Sequence, residues 1–139
     1  MYYAARLEKD RDMGYVVSFP DLPNVNAFGK TKTEALRMAK EALDGAMACD
    51  LEAGLAFVKP STAPDADRGL FPVELSVNVE VAYRLFEARR GMKKAEVARR
   101  AGITPQAYQR FETTKGSPSF DTVARLARAM GKELVWSLV

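Results

Sequence analysis

The most constraining stretch of the chain runs from Gly91 to Met130, GMKKAEVARRAGITPQAYQRFETTKGSPSFDTVARLARAM. It cannot form one long helix, because caps and breakers recur at short intervals. Gly91 and Gly102 each end a helical segment, since glycine accepts the left-handed backbone with which helices commonly close. Thr104 followed by Pro105 opens a new helix: the hydroxyl caps a free N–H, and proline at the first position forfeits no hydrogen bond. Ser119 opens another. Upstream, Asn78 is expected to cap a helix reaching about Arg90, with Ala82, Leu85 and Phe86 on its pattern of faces. The spacing therefore predicts four short helices. Val97, Ala98, Ala101, Tyr108 and Phe111 point inward, Ile103 anchors the central turn, and Phe120, Val123, Leu126, Ala127 and Met130 pack back on the rest.

Two short helices joined by a turn of this length, with small Ala98 where they cross, read as a helix-turn-helix. Such a unit places the N-terminal residues of its second helix at base edges in the major groove of DNA. The charge agrees. Residues 1–72 carry 9 basic and 11 acidic side chains, a net of −2, whereas residues 73–139 carry 12 basic and 7 acidic, a net of +5. The whole positive excess lies in the half with this pattern, where duplex phosphates would attract it. Gln106, Gln109 and Arg110 face outward from the second helix of the turn. Gln106 suits adenine, Thr104 a thymine methyl or a phosphate, and Arg110 a guanine or a phosphate. Lys93 and Lys94 open the preceding helix beside the DNA backbone and would add salt-dependent, sequence-blind affinity.

The totals narrow the chemistry. There is no histidine among the 139 residues and one cysteine, Cys49, so histidine acid–base catalysis, histidine-bound metals and an internal disulfide are all excluded within this chain. No cofactor and no metal are expected. No apolar run reaches the ~18 residues of a membrane span, and the opening MYYAARLEKDRD lacks an export signal's apolar core, so a cytoplasmic location is expected. Two half-size domains would each bury only about 60% of their unfolded surface, which predicts help from oligomerisation.

The first half has a different rhythm. Tyr3, Ala5 and Leu7 alternate with Tyr2, Ala4, Arg6 and Glu8, and Tyr15, Val17 and Phe19 with Val16 and Ser18: an antiparallel hairpin stopped by Pro20 and Pro23. Val25 to Phe28 forms a third short strand. Thr31 or Thr33 caps a helix whose stripe is Leu36, Ala39, Leu43, Ala46 and Met47, ending near Gly54. Residues 55–70 read as an aperiodic, mobile connector. Alternation from Phe71 to Val77 gives a last strand returning to the sheet. The predicted class is α+β: a small antiparallel sheet with one helix over residues 1–77, then an all-α helix-turn-helix domain over residues 78–139.

The phrase YVVSFPDLPNVNAFGKTKTEALRMAKEAL resembles the N-terminal domain of HicB-type antitoxins through Phe19, Pro20, Asp21, Leu22, Pro23, Glu34 and Ala35, covering about residues 2–54. Asn24 stands where that pattern has Gly, and asparagine also tolerates left-handed backbone. Glu96-Val97-Ala98, Ala101-Gly102-Ile103, Arg110-Phe111-Glu112 and Pro118-Ser119 resemble the phage-repressor (XRE) class of helix-turn-helix over about residues 80–131. Thr114 departs from it, standing where the class has Gly, and the resemblance implies a phosphate contact by the nearby Lys115. The HicB resemblance implies a partial ribonuclease H-like fold for the first domain. It also implies an antitoxin that neutralises a HicA-like mRNA-cleaving toxin and represses its own operon as a dimer or higher oligomer on palindromic operator DNA. Toxin contacts are expected at the Phe19–Pro20–Asp21–Leu22 turn and at Glu41 and Asp44 on the polar helix face.

A strand is predicted in the tail KELVWSLV, where Leu134, Trp136 and Leu138 alternate with Val135 and Ser137 and would pair with a second copy. Two rivals stay open. One is a stand-alone transcription regulator with an N-terminal sensing or dimerising domain. The other is a metal-dependent nuclease, which needs several converging carboxylates. Asp21, Glu34 and Glu41 fit a turn, a helix start and a solvated face better, so no enzyme is expected.

Overall fold

The computed structural model describes residues 1–139. The chain divides into two compact units, one made of residues 1–50 and 57–77, the other of residues 51–56 and 78–139.

The first unit is a four-stranded antiparallel sheet, β1 (Tyr2–Asp10), β2 (Gly14–Phe19), β3 (Leu22–Gly29) and β4 (Leu70–Glu74), in the order β3-β2-β1-β4. Helix α1 (Lys32–Glu52) buries Ala35, Ala39, Leu43 and Met47, a stripe at every fourth residue. The sheet supplies Tyr3, Ala5, Val17, Phe19, Ala27 and Val73 to the core. Pro23 and Pro72 both lie inside strands, which corrects the expectation that Pro23 ends one. Their strands, β3 and β4, are the two sheet edges, where a missing N–H breaks no ladder. The third strand therefore begins at Leu22, three residues before the predicted start.

Helix α1 starts where it does for two reasons. Thr31 Oγ1 accepts from the Glu34 N–H at 3.1 Å, and Glu34 Oε2 accepts from the Lys30 N–H at 3.1 Å, a reciprocal cap. Gly29 lets the end of β3 approach the helix: a Cβ there would lie 2.5 Å from the Ala35 nitrogen. β4 ends at Glu74 and not at Val77 as the alternation suggested. Ser76 instead donates through its N–H (2.8 Å) and its hydroxyl to Asp44 on α1, which turns the chain out of the sheet.

The second unit contains α2 (Val77–Ala88), α3 (Lys94–Ala101), α4 (Pro105–Glu112) and α5 (Phe120–Ala129). Its core joins Leu85, Val97, Ala98, Ala101, Tyr108, Leu126, Ala129 and Met130. Asn78 lies exposed inside the first turn of α2 and does not precede it as a cap. Gly102 closes α3 in the left-handed conformation (φ 73°). Thr104 then caps α4, its hydroxyl accepting from the Ala107 N–H at 3.1 Å with Pro105 in the first turn, and Ser119 caps α5 through the Thr122 N–H at 3.1 Å.

The tail from residue 132 forms no strand. Alternating apolar residues make a strand only when another strand completes the hydrogen-bond ladder, and nothing in the chain does so. Trp136 instead sits beside Phe120 at the start of α5, ring centroids 6.0 Å apart.

Candidate nucleic-acid interface

The inner face of α4 holds the helix in place. Tyr108 is fully buried and Glu112 is 2% exposed, four residues apart on one face. Glu112 receives a two-pronged contact from Arg89, Nε to Oε2 at 2.8 Å and a terminal guanidinium nitrogen to Oε1 at 2.6 Å. Arg89 also donates to the Met92 carbonyl at 2.9 Å, so the chain bend after α2 is tied to the base of α4. Glu112 stabilises the guanidinium, by hydrogen bond first, and raises its pKa further. The Tyr108 hydroxyl is buried beside the Arg89–Glu112 pair, and burial first, then the Glu112 carboxylate, pushes its ionisation well above the usual phenol range. Neither Arg89 nor the inward role of Glu112 was expected from sequence. The signal was present: counting four residues on from inward-facing Tyr108 reaches Glu112.

The outer face of α4 is open. Gln106 and Arg110 are exposed one turn apart. Arg110 donates to the Lys115 carbonyl at 3.1 Å, which lays its stem along the loop that follows the helix. Gln109 is half-buried beside the start of α3, and its Oε1 accepts from Lys94 Nζ at 2.6 Å. Lys94 Nζ also lies 4.0 Å from Glu112 Oε1. Lys93 precedes α3 as its N-terminal boundary with no side-chain cap bond. Thr104, Lys93 and Lys115 are exposed. The structure thus brings Lys94 and Gln109 together and keeps Gln106 and Arg110 on the same outer side.

Thr114, just past α4, has φ 65° and is the chain's one non-glycine residue with left-handed backbone. Thr114 therefore takes the left-handed backbone that glycine adopts freely, at a steric cost to a β-branched residue.

The motif residues of the first unit are placed differently. Phe19 and Leu22 are 2% and 7% exposed and belong to the core, so their side chains offer no surface to a partner. Pro20 and Asp21 form the two-residue turn between β2 and β3. Asn24 lies in β3 without positive φ, because the hairpin has already turned. Asp21 accepts four hydrogen bonds: from the Ser61 N–H (2.8 Å) and hydroxyl (2.8 Å), and from the Thr62 N–H (3.0 Å) and hydroxyl (2.8 Å). The Thr62 N–H leads in holding its pKa down, to about 2. These bonds tether the loop after α1, a stretch that also contains a short 3₁₀ turn at Ala66–Arg68. Asp44 is occupied by Ser76 and lies 4.0 Å from Lys40 Nζ. Glu41 makes an exposed contact with Arg37 at 3.3 Å. No three His, Cys, Asp or Glu side chains gather where they could hold a metal ion.

A helix-turn-helix with an exposed second helix and cations beside it, following an α/β sheet unit in the chain, is the architecture of the DNA-binding helix-turn-helix class. The chain belongs to the family of HicB-like antitoxins of bacterial toxin–antitoxin systems, whose model matches residues 2–82; a helix-turn-helix model matches residues 82–137. Antitoxin HicB 2 of Photorhabdus laumondii is 34% identical over 96% of this chain and 94% of its own length. Antitoxin HicB of Escherichia coli K12 is 32% identical over 96% of each chain. A crystal structure of the Burkholderia pseudomallei antitoxin HicB aligns with 57% of this chain and 66% of its own, at 24% identity and a TM-score of 0.48. No helix is long and apolar enough to cross a membrane.

Proposed function

We propose that this chain is a non-catalytic antitoxin that neutralises a cognate HicA-like mRNA-cleaving toxin and represses its own operon by binding operator DNA. The observation that carries the DNA half is the exposed outer face of α4, Gln106 and Arg110, on a helix fixed from beneath by Arg89–Glu112. Base edges are read by Gln106, Gln109 and Arg110. Lys93, Lys94 and Lys115 meet phosphates, and Thr104 borders the groove. The first unit supplies the toxin-binding surface. Its net negative half complements a toxin that must itself attract RNA, and Pro20 and Glu41 are the accessible survivors of the expected contact set.

Two copies act together on a palindromic site. Support comes from the tail, where Val135, Trp136 and Leu138 are 84%, 65% and 89% exposed, an apolar strip suited to a second copy. Leu134 is half-buried at its root.

The test is footprinting of the DNA upstream of the chain's own coding frame. Protection of two half-sites about one helical turn apart is expected. Lys93→Ala should weaken binding to specific and random duplex alike and flatten the salt dependence by about one phosphate contact. Absence of any protected site at low salt would remove the repressor half of the proposal.

A further inference from the structure

Within the DNA-reading role proposed above, the side-chain amide of Gln109 reaches the groove already oriented. Its partner 2.6 Å away is the Lys94 ammonium, which has donors and no acceptor. The atom facing Lys94 must therefore be the carbonyl oxygen of Gln109, and the amide nitrogen must face the other way. Lys94 is itself held from the interior side by Glu112, 4.0 Å away, whose carboxylate is fixed by Arg89. A line of polar contacts thus runs from the buried ion pair to the flank of the reading face. Gln109 sits one turn beyond exposed Gln106 and next to exposed Arg110.

The consequence is chemical. A glutamine that pairs with adenine uses both ends of its amide, accepting from N6 and donating to N7. With its carbonyl oxygen turned toward Lys94 and one lone pair engaged there, Gln109 directs its two N–H donors, and not its acceptor, away from α3. Guanine presents two adjacent acceptors, N7 and O6, in the major groove, whereas cytosine presents a donor. We propose that Lys94 is a positioning residue that makes Gln109 a donor-only reader, selecting guanine over adenine and cytosine at one operator position. The ammonium retains further protons with which to meet a phosphate, so the two roles are compatible. A phosphate contact alone would carry no base preference.

The experiment is selection of duplexes with a randomised core by the full chain, followed by sequencing and by affinity measurements on the four single-base variants of the winning site. Wild type, Lys94→Met, Lys94→Arg, Gln109→Glu and Gln109→Ala are compared, with thermal melting to establish that each is folded. Wild type should prefer guanine at one position of each half-site by ~10-fold or more. Gln109→Glu keeps an acceptor for Lys94 but loses both donors, and should move the preference at that position to cytosine or adenine. Lys94→Met frees the carbonyl and should bring adenine to within ~3-fold of guanine there, leaving other positions unchanged; Lys94→Arg should restore guanine. Gln109→Ala should flatten that position alone.

A Lys94→Met protein that loses the same factor on every sequence, with its base profile intact, would overturn the proposal. So would folded Gln109 variants with the wild-type profile. Selection of no sequence by wild type would overturn the DNA-reading role itself, a separate outcome.

Discussion

Asp21 and Glu112 are both carboxylates inside motif-bearing stretches, and both are taken up within the protein, yet they do opposite things for the surface. Asp21 gathers four neutral donors from Ser61 and Thr62 and so closes a loop over the β2–β3 turn. Its neighbours Phe19 and Leu22 are core. In the FPDL phrase the two apolar side chains are thus core and Asp21 ties down a loop, which leaves Pro20 as its exposed member. Glu112 receives Arg89 under α4, leaving the opposite side of the same helix to Gln106 and Arg110. There a single eight-residue helix carries both the framework and the reading face. The helix-turn-helix phrase thus spans both a buried carboxylate and an exposed outer face, whereas the FPDL phrase supplies mainly core and a loop tether.

The sharpest way to break this contrast is Glu112→Ala. It strands a guanidinium that is 17% exposed beside a buried phenol, and breaking a buried pair in this way costs about 3–5 kcal/mol. Urea unfolding of the helical unit should show that loss; a change under ~1 kcal/mol would mean the pair does not hold α4. Next comes Gly29→Ala. The new Cβ meets backbone of α1 that cannot swing aside, so the sheet unit should lose about 2–3 kcal/mol while the helical unit is untouched.

Asp21→Asn is expected to cost less, on the order of 1 kcal/mol, because the tether is near the surface and its donors can turn to water. The pH dependence has a definite sign. The carboxyl's folded pKa is depressed to about 2 from 3.8, so its contribution is complete above the unfolded value and fades as pH falls from about 4 to about 2. Hydrogen exchange of the Ser61 and Thr62 amides should rise through that window in wild type, after correction for intrinsic rates, and be fast in the variant at all pH. The smallest effect is a gain: Thr114→Gly relieves a left-handed β-branched residue and should stabilise the helical unit by ~0.5–1 kcal/mol, net of the extra chain entropy of glycine.

The helical unit was legible because its signals are local. A glycine cap at Gly102, the Thr104–Pro105 start and the Ser119 cap each act within a turn of themselves, and the helices begin and end on them. Periodicity also located the stripe of α1, shifted so that Ala35 rather than Leu36 is the buried member. What was not legible depended on distant partners. Ser76 is 32 residues from Asp44, and Thr62 is 41 from Asp21, so no local pattern announces either bond. The tail reads as a strand because alternation is a property of the sequence, whereas a ladder needs a neighbour. Asn24 was misplaced because the hairpin turns two residues before the phrase ends. In the candidate site, outward residues of α4 followed from helix geometry, while the Lys94–Gln109 contact depends on how α3 and α4 pack.

The central claim is that one chain joins a toxin-neutralising unit to a DNA-reading unit. Its most direct test is growth of cells in which the short open reading frame beside this gene is induced, with and without the full chain. The account predicts arrest from the neighbouring frame alone, and restored growth when the wild-type chain or its Gln106→Ala, Arg110→Ala variant is supplied from an independent promoter. A neighbouring frame that is harmless, or an arrest that the folded chain does not relieve, would contradict it.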